Sequence, residues 1–284
     1  MKKVLLQYLF WFCFIAGSTL FINSLKTEEQ IVILNTNDTH SQIDPNDANA
    51  SRNPNMGGVL RRDALIEQIR KENENVILVD AGDFVQGTPY FNFFKGDVEV
   101  QMMNRLGYDV AVLGNHEFDN GIDALEYILK QAEFPIIAAN YDLTDSKLKQ
   151  YVSPTVIINK GDIEIGFIGL ASEPEGLISM KNFEGIKTID PVKVVNEYAV
   201  KLKQQGCDYI IVLSHLGYNY DNDNSGDRMI ALQTENVDLI IGGHSHTLLK
   251  NAVELKNKAG KTVRIIQAGS HGMRLGRVDL TFKD

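Results

Sequence analysis

VILVDAGDFVQG, residues 76–87, joins two halves of opposite character. Its first six residues are a short apolar run rich in branched side chains, the pattern of a buried strand. The run stops at Ala81-Gly82, and an acid, Asp83, follows at once. The same order recurs four times. IVILNT (31–36) leads to Asp38 and His40, DVAVLG (109–114) to Asn115 and His116, YIIVLS (209–214) to His215, and VDLIIGG (237–243) to His244 and His246. Helical spacing fills the intervals: VLRRDALIEQIRKEN (59–73), DVEVQMMNRLG (97–107), IDALEYILKQAEF (122–134) and PVKVVNEYAVKLKQQ (191–205). Strands alternating with helices predict βαβ units and an α/β fold with largely parallel sheet. TVIINKGDIEIGFIGL (155–170) reads as a hairpin turning at Lys160-Gly161-Asp162, and TVRIIQAGS (262–270) and LGRVDLTF (275–282) as two closing strands. The expectation is two packed sheets with helices outside, in a single domain over 25–284.

Composition sets the outer bounds. The chain has 284 residues, 44% hydrophobic and 23% charged, which is ordinary for a globular protein. The net charge is −9, and basic residues gather in nothing longer than pairs such as Lys2-Lys3 and Arg61-Arg62, so no nucleic-acid footprint is expected. An acidic balance still admits an anionic substrate, because bound cations can dominate a site's field. Residues 1–24 stand apart: two lysines, an apolar run and small residues read as a signal peptide, or, if uncleaved, an N-terminal anchor. Either way the remainder is exported, to the periplasm or cell surface, and touches membrane only through this segment. Of the two cysteines, Cys13 lies in the leader, which leaves Cys207 without an internal disulfide partner and reading as a small buried residue.

The polar residues after the strands carry the chemistry. Ligands of open α/β sheets bind outside the carboxyl ends of the strands, and five of the six histidines stand at such ends. Asp38 with His40, and His244 with His246, are two residues apart, a spacing that faces one side in extended chain. With Asp83, Asn115 and His215 they form a nitrogen and oxygen donor set without thiolate, suited to Zn, Mn, Mg, Fe or Co. Seven donors exceed one tetrahedral ion; two divalent ions sharing a carboxylate, about 3.5–4 Å apart, fit better. His116 and Asp119 are three residues apart, so the carboxylate can orient an imidazole that acts as general acid, although Asp119 could also cap the next helix. His271 reads as a loop residue beside the site, and Glu117 and Phe118 as shaping their loop. Asp44, Asp47, Asp221, Asp223 and Asp227 read as solvated loop carboxylates, PYFNFF (89–94) as core packing or, as the lesser alternative, aromatics that stack on a base, and Asn140 as within reach of a phosphate oxygen.

NTNDTHSQ, GGVLRR, GDFVQGTPYFN, LGNHEFDNG, SHLG and GGHSHT, in this order, resemble the catalytic domain of the 5′-nucleotidase family of calcineurin-like metallophosphoesterases, over residues 31 to 280. The resemblance implies a four-layer α-β-β-α sandwich with a dinuclear centre. One ion would take Asp38, His40, Asp83 and His246, the other Asp83, Asn115, His215 and His244, with Asp83 bridging. His116 and Asp119, beside Asn115, would match the catalytic pair. The implied reaction is hydrolysis of a small-molecule phosphomonoester, a nucleoside 5′-phosphate, by metal-bound hydroxide with His116 as general acid. Better-known members continue into a C-terminal nucleotide-binding domain, about where residue 284 ends this sequence. That leaves two alternatives in view: a catalytic half that works with a separately encoded nucleotide-binding domain, and a cyclic-nucleotide phosphodiesterase or sulfur-ester hydrolase with the same centre.

Overall fold

The apolar runs become strands, and in the computed structural model, which describes residues 28–219 and 225–283, they follow one another as β1 (Glu29–Thr36), β2 (Val76–Asp80), β3 (Val110–Val112), β4 (Ile136–Ile137), β5 (Tyr141–Asp142), β6 (Val152–Ser153), β7 (Thr155–Lys160), β8 (Ile163–Leu170), β9 (Lys187–Thr188), β10 (Tyr209–Ser214), β11 (Leu239–Gly242), β12 (Val253–Lys256), β13 (Thr262–Ile266) and β14 (Gly276–Phe282). The helices are α1 (Val59–Glu72), α2 (Pro89–Phe94), α3 (Asp97–Leu106), α4 (Ile122–Leu129), α5 (Pro191–Gln204) and α6 (Gly226–Gln233). Residues Gln30–Leu280 make one compact unit that holds everything described below; residues 28, 29 and 281–283 fall in a second. The leader, Asp221 and Asp223 lie outside the described residues, and no described helix is long and apolar enough to cross a membrane.

Two six-stranded sheets form, in the orders β14-β1-β2-β3-β4-β6 and β12-β13-β11-β10-β8-β7. The central pairs are parallel, with Val32 beside Val76 and Ile211 beside Leu239. The expected hairpin is β7 against β8, antiparallel from Thr155↔Ile168 to Lys160↔Ile163. Alternation along each strand divides the core into layers. Val32, Leu34 and Leu78 join Ile66 and Ile69 of α1 and Val100 and Met103 of α3 in one cluster. Ile168, Val212 and Ile240 join Val195 and Leu202 of α5 and Ile230 of α6 in another. The residues between them, including Ile33, Ile77, Phe167, Ile211 and Ile241, are equally buried and face the other way. Each sheet is covered on both faces, which is why its strands read as unbroken apolar runs. The architecture is the α-β-β-α sandwich.

Four local expectations need correction. Helix α4 ends at Leu129 rather than continuing to residue 134, because the Gln131 and Ala132 N–H groups turn to the Ile128 and Leu129 carbonyls at 3.0 and 3.3 Å and tighten the last turn. PYFNFF is a short helix opened by Pro89 and the Thr88 hydroxyl, and only Phe91 reaches the core; Phe93 is 80% exposed. Asn140 is fully buried and exchanges two hydrogen bonds with the Ala171 backbone, so it braces two strand ends instead of facing a ligand. Asp227 is no loop carboxylate either: it sits in α6, fully buried. Cys207 is buried and unpaired, as its setting predicts.

Candidate metal centre

The donors sit where strands end, but they do not converge by strand geometry. Asp38, His40, Asp83, His244 and His246 all have left-handed backbones, with φ of 48°, 48°, 56°, 70° and 52°. The expectation that residues two apart face one side of extended chain therefore gives way to tight turns beyond the strands. A non-glycine residue in this region costs about 1–2 kcal/mol, and such strain persists where the surroundings over-determine it, typically at functional sites.

The surroundings here do so. Asp38, His40 and Ser41 donate their N–H groups to Gly82, Asp83 and Phe84 carbonyls at 2.8, 3.0 and 3.1 Å, laying the loop after β1 along the loop after β2. The His271 N–H holds the Asp38 carbonyl at 2.6 Å. The His244 N–H reaches both Asp38 carboxylate oxygens at 3.0 Å, and the Asn37 amide donates to Oδ2 at 2.6 Å. Glu117 shapes the loop, as expected of it. Its buried carboxylate accepts from the N–H groups of Asp83, Phe84, Val85 and Gly114 at 3.2, 2.9, 3.4 and 2.6 Å. Burial, then the Asp83 charge, push its carboxyl up to about 8, against the pull of His215 and the Gly114 N–H.

Three overlapping groups of donor atoms result: Asp38, His40 and His246 at one end, Asp83, His215 and His244 at the other, and His40, Asp83 and His116 between them. The His215 Nδ1 donates to the Ala81 carbonyl at 2.6 Å, which fixes the ring and turns Nε2 inward, 2.9 Å from Asp83 Oδ2. That Nε2 is buried without a hydrogen-bond partner, its approach to Asp83 lacking the alignment of a bond. The Nε2 atoms of His40 and His246 meet at 2.9 Å, with Asp38 Oδ1 at 3.9 and 3.3 Å. Nitrogen lone pairs and carboxylate oxygens crowded toward common points, in a nitrogen and oxygen set, fit divalent cations.

Titration follows the same logic. Burial pushes His40 down to about 4 despite Asp83 and Asp38, leaving a neutral, ligating imidazole. Burial and the His215 charge also lower His244. Burial opposes ionisation of Asp83 and His215, but their mutual attraction outweighs it: Asp83 falls well below the usual carboxylate range and His215 rises to about 10. A cation entering here would replace the His215 proton.

His116 stands at the edge, half-buried, with its ring 5.3 Å from that of His40. Its N–H donates to Asp83 Oδ1 at 2.9 Å and its Nδ1 meets Asp119 Oδ2 at 2.8 Å. One turn of 3₁₀ helix, residues His116–Phe118, brings the pair together, because side chains three apart eclipse there. Helix α4 begins later, capped by Gly121, so Asp119 is not its N-cap. The Asp119 hydrogen bond raises the His116 pKa against the effect of burial. Asn115 is buried beside them, its Oδ1 3.4 Å from the Ser172 hydroxyl. His271 lies nearer than a loop reading suggests, its ring 5.5 Å from His40 and 5.8 Å from His246. Asp44 and Asp47 are exposed as expected.

Three buried acids, Asp80, Glu99 and Asp227, escaped the sequence reading. Asp80 accepts from Thr36 Oγ1 at 2.5 Å and the Gly82 N–H at 2.9 Å, and burial pushes it up to about 7. An acid closing an otherwise apolar strand was the available signal. Burial also pushes Asp227 up to about 7, in a place opened by Gly242, where a Cβ would fall 2.1 Å from its Oδ2. Glycine also makes room at the centre: a Cβ on Gly114 would lie 2.2 Å from Asp83 Oδ1 and 2.8 Å from His215 Nε2. Gly114→Ala is expected to weaken ion binding by about 10–100-fold, the scale of disturbing groups that orient ligands. A metal titration showing native affinity would count against this placement of Asp83.

Residues 31–248 match the calcineurin-like phosphoesterase family. The snake venom 5′-nucleotidase of Naja atra is 34% identical over 90% of this chain and 51% of its own length. Among solved structures, a 5′-nucleotidase precursor from Thermus thermophilus superposes with a TM-score of 0.82 at 34% identity, over 89% of this chain and 52% of that one. A calcineurin-like phosphoesterase from Bacillus subtilis gives 0.75 at 30% identity, over 91% and 86%. The chain thus spans about half the length of the curated relatives it matches. With the fold, the motifs and the donor clusters in agreement, the chain belongs to the calcineurin-like phosphoesterase family.

Proposed function

We propose that this enzyme hydrolyses phosphomonoesters, nucleoside 5′-phosphates foremost, outside the cytoplasm, at a centre of two divalent ions. The observation that carries the reading is the run of overlapping donor groups in which Asp83 stands with His215 and His244 on one side and with His40 on the other, with the His116–Asp119 pair at their edge. Asp38, His40, Asp83 and His246 would hold one ion, and Asp83, Asn115, His215 and His244 the other. When bound, such ions polarise phosphoryl oxygens and make water acidic enough to yield a nucleophile near neutral pH.

The protein's own groups supply the rest. Asp83 spans the clusters because its Oδ2 faces His215 while its Oδ1 is tied to the His116 N–H. Asp119 holds the His116 Nδ1, leaving Nε2 to carry the proton for the departing ester oxygen. The buried walls exclude bulk water and strengthen each interaction. The leader at residues 1–24 supports export, and the name 5′-nucleotidase shared by several relatives supports a nucleotide substrate. Recognition of the nucleoside would fall to a second domain, in keeping with the half-length match.

Reconstitution with Mn, Zn or Co, followed by assay of AMP, an aryl phosphate and a cyclic nucleotide, tests this. Turnover of AMP and aryl phosphate without the cyclic diester is expected. No turnover under any condition would sink the proposal. Turnover of aryl phosphate alone would transfer nucleotide selection to a separate partner.

A further inference from the structure

Under the loop that carries Asp38 and His40 lies a cavity of about 20 Å³, lined by Ser41, Arg62, Asp80, Glu99 and Tyr108 among apolar neighbours. Glu99 is 3% exposed, yet neither carboxylate oxygen has a hydrogen-bond partner; the same holds for Ser41 Oγ and for Nε and Nη1 of Arg62. Arg62 has a counter-charge in Asp80, which lines the same cavity, but buried polar atoms without a hydrogen-bond partner are unfavourable, and a partner shared by these groups would satisfy them. A cavity of about 10–15 Å³ or more holds one water when two to four polar groups face it. Arg62 offers donors, Glu99 acceptors and Ser41 either.

The walls of this cavity are the backs of the site's own loops. Ser41 follows His40 and shares its left-handed backbone, with φ of 54°. Asp80 binds the Gly82 N–H one residue before Asp83. Arg62, from the GGVLRR segment, packs against Gly272, where a Cβ would come 2.2 Å from Nη1, and the preceding residue, His271, holds the Asp38 carbonyl.

We infer that Arg62 and Glu99, joined through one buried water, are positioning residues that hold the His40–Ser41 backbone in its left-handed form and so set the ion ligands Asp38 and His40. This rests on the two-ion reading proposed above. Arg62→Met and Glu99→Met each strand one charge, and each is expected to lower the melting temperature of the metal-free protein. The double variant removes both charges and should recover most of that loss, since apolar replacement of a buried ion pair is often neutral. Despite its recovered stability, the double variant should bind about one Mn²⁺ per chain in equilibrium dialysis where the native chain binds two, and turn over aryl phosphate about 10–100-fold more slowly. Arg62→Lys, which keeps the charge, should retain both ions.

A stable double variant with two ions at native affinity overturns the inference. If the double variant does not fold, Ser41→Ala decides: a several-fold weaker site supports the inference and unchanged affinity rejects it. A native chain that binds fewer than two ions would strike the two-ion reading instead. The Arg62–Glu99 coupling through water is then judged alone, by whether the two single losses in metal-free melting temperature are additive; additivity would reject it.

Discussion

Asp83→Asn should lose both ions and lower turnover by roughly 10³-fold or more, the consequence of removing several kcal/mol of charge stabilisation from the reaction. The substitution keeps the shape and deletes one charge and one acceptor oxygen. Asp83 belongs both to the group with His215 and His244 and to the group with His40 and His116, and His40 in turn links that group to Asp38 and His246, so Asp83 stands midway between the outer donor groups. The loss also reaches the metal-free fold. His215, raised to about 10, is an imidazolium at neutral pH and depends chiefly on Asp83 for its counter-charge. Because the folded pKa of Asp83 is depressed, its stabilisation is present above the unfolded carboxylate range and fades as pH falls toward the folded value. Native and Asp83→Asn proteins should therefore differ most in melting temperature at neutral pH and converge in strong acid. Ion content by dialysis and melting across pH check both statements; two ions bound to the Asn variant would show that Asp83 does not bridge the clusters.

His116→Asn should behave oppositely, keeping both ions while kcat falls by about 10²–10⁴-fold, the usual contribution of a general acid. The deficit should shrink for aryl phosphates whose phenol leaves readily, since those esters need less help from a proton. The acid must be protonated to act, and the Asp119 hydrogen bond raises its pKa. Activity is then present below that pKa and declines as pH rises through it. Asp119→Asn removes the raising partner and should move this alkaline limb to lower pH. Collapse of metal content in His116→Asn, or an unmoved limb in Asp119→Asn, would contradict the assignment.

Much of this centre was legible in the chain because parallel sheets covered on both faces produce continuous apolar runs, and a polar residue directly after such a run stands at the sheet's rim. VILVDAGD and YIIVLSH carry that signal without help. The convergence of Asp38 with His40 was legible only by spacing, and for the wrong reason. Their turns depend on hydrogen bonds to Gly82 and Asp83, contacts more than forty residues distant that no local pattern displays. Asp227 was misread because Ser225-Gly226-Asp227 looks like a turn; its burial depends on the space left by Gly242 on another strand. Helix α2 was hidden by its aromatics, which leave no polar face to mark the period.

The donors are divided between the sheets. Asp38, His40, Asp83 and Asn115 follow strands of the first, whereas His215, His244 and His246 follow strands of the second. The groups with His246 and with His215 and His244 draw on both, and the His215–Ala81 bond ties the two rims as well. Ion affinity is therefore a gauge of how the two halves of the sandwich are seated on each other. Trimming a side chain between the layers, such as Phe167 or Ile211, would be felt first as a looser grip on the cation, without any ligand being touched. Conversely, the ion is a rivet: occupancy should slow any sliding of one sheet over the other, and chelation should release it.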